Sequence, residues 1–189
     1  MRKIFMVIFL AVAATGCSEA DTPTEPSVFE GTSSGGGTTA LSNVEAADER
    51  AVEWNEDAEL YAIAAATPQL DAGGNSPGWL YTYVSESAGS VATISYEGGS
   101  VGMDPEQELP EEDISFLSES ALPPPGELLD SSEALEEAGE VGAALEEDPG
   151  LETAAGLDSV SGGEPMWRFS TIRGEERVEE SVSATGGGA

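Results

Sequence analysis

The sequence predicts an α+β domain in which two helix-and-hairpin units share one antiparallel sheet, covered by helices on one face. Three observations carry this. Two stretches place small and apolar residues at helical spacing and stop at Pro68 and at Asp148-Pro149-Gly150. Each is followed by a glycine-rich loop and then a run built around tryptophan, Trp79 to Val84 and Met166 to Ile172. Each run then meets a turn and a second β-rich stretch.

The chain opens with Met1-Arg2-Lys3, an apolar run from Ile4 to Ala14, and Ala14-Thr15-Gly16 directly before Cys17. Charge, apolar stretch and small residues in that order describe a secretory signal peptide. The apolar run is shorter than the ~20 residues a permanent spanning helix needs. The Ala-Thr-Gly-Cys ending resembles the lipobox of bacterial lipoproteins, with Ala14 where Leu is usual. That resemblance implies cleavage after residue 16 and acylation of Cys17, which would tie the protein to a membrane. Ser18 is not the Asp that retains lipoproteins at an inner membrane, so the outer membrane is favoured. Cys17 is the single cysteine, so no internal disulfide can form.

Residues 17–43 read as a tether. Thr22-Pro23-Thr24-Glu25-Pro26 and Ser33 to Thr39 offer almost nothing apolar to offset the entropy of ordering. The domain is expected over 44–186, with 187–189 as a tail.

The first unit, 44–102, begins with a helix from Val44 to Ala66. Ala51, Trp54, Ala58, Tyr61 and Ala65 form one stripe, and Val52, Leu60 and Ile63 lie on the opposite side, leaving the sheet-facing side open. Gly73 to Gly78 then turns into the strand Trp79–Val84, and Val91–Tyr96 returns as its partner. Residues 103–128 read as an acidic, proline-rich linker. Within it Ile114 to Leu117 forms a short helix or turn, and Pro123-Pro124-Pro125 a stiff spacer.

The second unit, 129–186, repeats the order. Asp130-Ser131-Ser132-Glu133 has the form of a capping box. Leu135, Ala138, Gly142 and Leu145 follow as a helical stripe. A glycine-rich stretch over 156–163 precedes the strand Met166–Ile172, and Arg177–Ala184 is the last strand.

A helix followed by a hairpin that closes on Val182-Ser183-Ala184-Thr185-Gly186 resembles the PepSY (peptidase propeptide) family, whose last strand ends in a related pattern. The likeness is best over 129–186 and looser over 44–102, so two degenerate copies are expected. Ser183 departs from it, since the family often has Asp there. The resemblance implies a non-enzymatic binding or inhibitory module and carries over no catalytic residue.

Charge narrows the partners. Acids outnumber bases 37 to 6, giving a net charge of −31. Such a chain repels nucleic acid. Its acids are spread along its whole length, and Lys3 is its one lysine, which favours a solvated surface adapted to high salt over a set of divalent-cation sites. With no histidine, triad catalysis and histidine-built zinc or haem sites are excluded. The Asp104–Asp113 run lacks the ligand spacing of a calcium loop. No catalytic residue, metal site or cofactor is therefore expected, and the protein is not expected to be an enzyme.

The expected function is that of a cell-envelope lipoprotein whose domain binds or modulates an envelope protein or a protease. A structural or adhesive envelope protein without a specific ligand is the alternative, with weak cation binding as a third reading. Oligomeric state stays open. Trp79, Tyr81, Tyr83, Trp167 and Phe169 are the candidate binding strip, although alternation in a one-sided sheet favours them as core.

Overall fold

Side chains alternate across the strands with few exceptions, and that alternation divides the protein into a buried layer and an open face. The structure, a computed structural model, describes residues 37–159, 163–174 and 176–186. The elements run α1 (Val44–Trp54), β1 (Glu59–Ala65), β2 (Gly78–Ser85), β3 (Ser90–Glu97), β4 (Ser100–Met103), β5 (Gln107–Glu108), α2 (Glu111–Ser118), α3 (Ser131–Glu137), α4 (Gly139–Glu147), β6 (Thr153–Asp158), β7 (Met166–Arg173) and β8 (Glu176–Ser183). The sheet order is β4-β3-β2-β1-β6-β7-β8, with β5 paired to β3. Every strand pairing is antiparallel. The α+β class is therefore as expected.

The core lies between one face of this sheet and helices α1, α3 and α4. In β2 the buried positions Trp79, Tyr81 and Tyr83 face that layer, and in β7 Trp167, Phe169 and Thr171 do so. Val44, Ala47 and Ala51 form the buried stripe of α1, and Ala134, Leu135, Ala138, Val141 and Leu145 that of α3 and α4. Small helix residues let the backbones sit close to the sheet, so the large aromatics fill the space between the layers.

The expected first helix is cut short. It ends at Trp54, where Asn55 turns extended (φ −153°), and residues 59–65 form β1 instead. A bulge between Leu60 and Ala62 explains the misleading periodicity. It puts Leu60 and Ile63 on the same face three residues apart, a helical interval produced by a strand. The glycine-rich stretch after the second helix likewise hides β6, which pairs with both β1 and β7. The second unit thus has one more strand than a hairpin supplies and the first has two, β1 and β4, and β1 and β6 join the two units.

Three further boundaries move. The second helix is two, because Ala138 (φ −80°, ψ 75°) breaks it between α3 and α4. The linker holds β5 and α2, and α2 packs against β1 and β2. There it covers Val84, which points away from Tyr81 and Tyr83, and contributes its own buried Ile114. One helix therefore lies on the opposite face from the other three. Finally, residues 38–43 of the tether belong to the domain: Thr38 pairs with Ser76, and Ala40 is fully buried. The signal segment, Cys17 and residues 18–36 lie outside the described residues. Among the described residues, no helix is long and apolar enough to cross a membrane.

The N-termini of the two helical parts meet. The capping box forms as the sequence predicts, with Asp130 accepting at the start of α3 and Glu133 reaching back to the Asp130 amide. Asp130 also accepts from the Leu41 amide (2.9 Å), and the Ser131 hydroxyl accepts from the Ala40 amide (3.0 Å) while donating to the Gly74 carbonyl (2.7 Å). Gly74 has φ +74°, and a Cβ there would lie 2.5 Å from the Ser132 Cα. Only glycine fits that contact.

Candidate binding face

The five aromatics of the candidate strip are all buried, each at most 1 % exposed. They are core, and no exposed strip exists on them. The polar ends of four of the five are also satisfied inside. Trp79 Nε1 donates to the Thr38 carbonyl (2.7 Å), Trp167 Nε1 to the Leu129 carbonyl (2.9 Å), Tyr81 to the Ala40 carbonyl (2.7 Å) and Tyr83 to Asp48 Oδ1 (2.5 Å). Burial holds both tyrosine hydroxyls protonated far above their usual range. Burial also raises the Asp48 carboxyl, against the lowering effect of the Tyr83 hydrogen bond.

The accessible surface of the sheet is the other face. Alternation assigns it Ala62 and Ala64 of β1, Leu80 and Thr82 of β2, and Gly156 of β6, all half-buried. Beside them stand Met166, Arg168, Ser170 and Ile172 of β7. Gly156 pairs with both Ala64 and Arg168, so these three lie side by side at the centre. Arg168 forms an ion pair with Asp158, and both side chains are about one-third or more exposed. Tyr61, the bulged residue, is half-buried. Burial first, and then the Asp158 carboxylate, raise its phenol pKa. Further out, Arg177 bonds Ser170 (2.9 Å) and pairs with Glu179 (2.7 Å).

This face differs in charge from the rest of the domain. Its centre, from β2 to β8, holds two carboxylates, Asp158 and Glu179, each paired with an arginine. Glu59 and Glu97 stand at strand ends. Helices α1, α3 and α4 instead expose Glu45, Glu49, Glu53, Glu136, Glu137 and Glu140, while α2, at the edge of the open face, adds Glu111, Glu112 and Asp113. Two of the four arginines in the domain serve the open face. Arg173 turns to the helix side and pairs with Glu147, and Arg50 pairs with Glu53 along α1. Sequence reasoning missed the face itself, because the face exists only once β1 and β6 are strands.

A second feature is a shallow acidic hollow of about 300 Å³ lined by Asp57, Glu59, Glu86, Ser118 and Glu119. Asp57 is already engaged by the Ser85 hydroxyl (2.5 Å) and the Ser87 amide (2.8 Å), which together hold its carboxyl below the usual range. Among the described residues, no three histidine, cysteine or acidic side chains are arranged to hold a metal ion.

No protein-family model, curated protein or solved structure matches the chain.

Proposed function

We propose that this chain is a cell-envelope lipoprotein, held at the outer membrane by lipid on Cys17, whose domain binds a protein partner without catalysis. The single observation that supports binding is the open sheet face. In a chain of net charge −31 the centre of this face pairs each of its two carboxylates with an arginine and sets the small residues Ala62, Ala64 and Gly156 beside them. Protein interfaces are depleted of charge at their centres, whereas solvated surfaces in this chain are dense with carboxylates. Anchoring is supported by the order of basic start, apolar run, Ala14-Thr15-Gly16 and Cys17. A triacylated cysteine buries many methylenes at ~0.8 kcal/mol each, enough for firm attachment. The PepSY resemblance, read over two related units, agrees with a binding or protease-modulating role.

Two measurements test this. Cys17→Ser in the host is expected to abolish incorporation of labelled fatty acid and to release the protein from membranes, and continued membrane fractionation with label would refute the anchor. A photo-crosslinking residue at Thr82, on the open face, is expected to yield a discrete protein adduct in intact cells. The same residue at Val52, which is 54 % exposed on α1, is expected to yield none. Equal patterns at both sites would refute the binding face.

A further inference from the structure

We infer that the occupant of the open face is a second copy of this chain, packed sheet to sheet about a two-fold axis. This rests on the open face being the binding surface and adds the partner. Charge decides first among the possible contacts between copies. A two-fold contact presents one patch to itself. For the helix-covered side that means carboxylates facing carboxylates, since Glu45, Glu49, Glu53, Glu136, Glu137 and Glu140 are exposed there. On the open side α2 also exposes Glu111, Glu112, Asp113 and Glu119, but these lie off the centre, where Arg168 with Asp158 and Arg177 with Glu179 supply cation and anion in equal number. A copy of that pattern is complementary to it.

Size agrees. Seven strands in one path, spaced ~4.8 Å with ~3.3 Å per residue, give a face on the order of 600 Å² in projection beyond the end covered by α2. Standard interfaces bury about 800 Å² per partner, and side-chain relief raises a projected area toward that figure. Shape agrees as well. Helix α2 is a ridge over the Val84 end of β2, and at the diagonally opposite end, at the close of β7, no helix among the described residues covers the open face. A two-fold axis in the plane of the face and oblique to the strands sets each ridge against that end of the other copy. Phe116 on α2 and Ile172 on β7 are 46 % and 53 % exposed. They are two of the four large apolar side chains exposed among the described residues, and this arrangement brings them together. Ala62, Ala64, Gly156 and Ser170 between them allow two sheets to approach to the usual ~10 Å.

The test is the mass of the full chain in detergent, measured by light scattering with the detergent subtracted, across protein concentration and sodium chloride. A particle of twice the monomer mass is expected, and more of it at high salt, because screening removes the residual repulsion. Ala64→Glu places a carboxylate at the centre of the face and is expected to weaken the dimer at least a hundredfold. Ile172→Glu, at an exposed position that does not threaten folding, is expected to weaken it about tenfold or more. Val52→Glu on the helix side is expected to leave it unchanged. A monomer at every salt and concentration overturns the inference, as does a dimer indifferent to both Ala64→Glu and Ile172→Glu. The Thr82 crosslink separates this from the broader reading. An adduct of twice the chain mass supports self-association. An adduct with a different protein overturns it and leaves the binding face standing, and no adduct removes both.

Discussion

The indoles of Trp79 and Trp167 meet edge to face, with ring centres 6.2 Å apart and planes at 74°. They occupy matching places, each near the start of the central strand of its unit, and each donates its N–H to a carbonyl in the segment that leads into a helix. Trp79 caps Thr38, two residues before Ala40, and Trp167 caps Leu129, one residue before Asp130. Phe169 stacks on Trp167 at 5.8 Å. This aromatic contact adds to the β1–β6 pairing in joining the two halves of the sheet, and one hydrogen bond from each indole fastens its half to its own helix entry.

Trp167→Phe is expected to keep most of the apolar contact and lose the donor to Leu129. Leaving a buried carbonyl without its partner costs about 1–3 kcal/mol. Trp79→Phe is expected to cost a similar amount at Thr38. Because the rings touch, the double variant should depart from additivity by about 0.5–1.5 kcal/mol. Urea unfolding followed by far-ultraviolet dichroism measures all three. Strict additivity would show that the edge-to-face contact does not join the halves.

Asp130→Ala removes an acceptor shared by the Ser131 and Leu41 amides. Loss of an ordinary N-cap costs about 1 kcal/mol. Here the same carboxylate also holds the segment entering α1, so a loss of roughly 2 kcal/mol is expected. Asp130→Asn retains the acceptor oxygen and is expected to recover most of it. Chemical denaturation of the two variants side by side tests this, and equal losses would show that charge, rather than the acceptor, is what α3 and Leu41 require.

Asp48 carries a stability change with a definite sign. Burial raises its folded pKa above the unfolded value even though Tyr83 donates to it. The folded form therefore takes up its proton at higher pH than the unfolded form. The resulting penalty is present above the folded pKa and is relieved as pH falls toward the usual aspartate value. Asp48→Asn keeps an acceptor for the buried Tyr83 hydroxyl without burying charge. It is expected to match or exceed the parent in melting temperature at pH 7, with the difference shrinking as the pH falls through that window. A variant less stable at neutral pH and unchanged in acid would reverse the assignment.

What the sequence makes legible follows from side-chain size. The strands around Trp79, Tyr81 and Tyr83, and around Trp167 and Phe169, announce themselves because bulky residues alternate with small ones. The capping box at Asp130 is local, so it is readable without tertiary knowledge. The strand β1 is alanine-rich, and its bulge gives Leu60 and Ile63 a helical spacing, so the pairing with β2 and β6 overrides a local preference for helix. The strand β6 alternates Thr153, Ala155 and Leu157 on the buried side, a period-two signal muted by small residues and by Gly156. Losing those two strands also loses the open face, since Ala62, Ala64, Gly156 and Asp158 all lie on them. The buried aromatics of the candidate strip were the strongest visual signal for binding because hydrophobic bulk marks core and interface alike.

The acidity predicts how stability answers to salt. At net charge −31 the compact state confines carboxylates that the unfolded chain spreads apart, so self-repulsion weighs on the folded side. Screening shortens the reach of that repulsion from ~10 Å at 0.1 M to ~3 Å at 1 M monovalent salt. The four ion pairs among the described residues are at least about one-third exposed and weaken over the same range, but each contributes little, about 0–1 kcal/mol. Relief of repulsion among so many acids outweighs that loss. The melting temperature is expected to rise by several degrees between 0.1 and 1 M sodium chloride, and by a similar amount in potassium chloride. Calcium is expected to add a gradual increase without a stoichiometric step, because among the described residues no three acidic side chains are arranged to hold an ion and counter-ions gather diffusely. A sharp rise at one equivalent of calcium, surviving in 1 M sodium chloride, would instead reveal a structured cation site and reverse the account of the acidic surface.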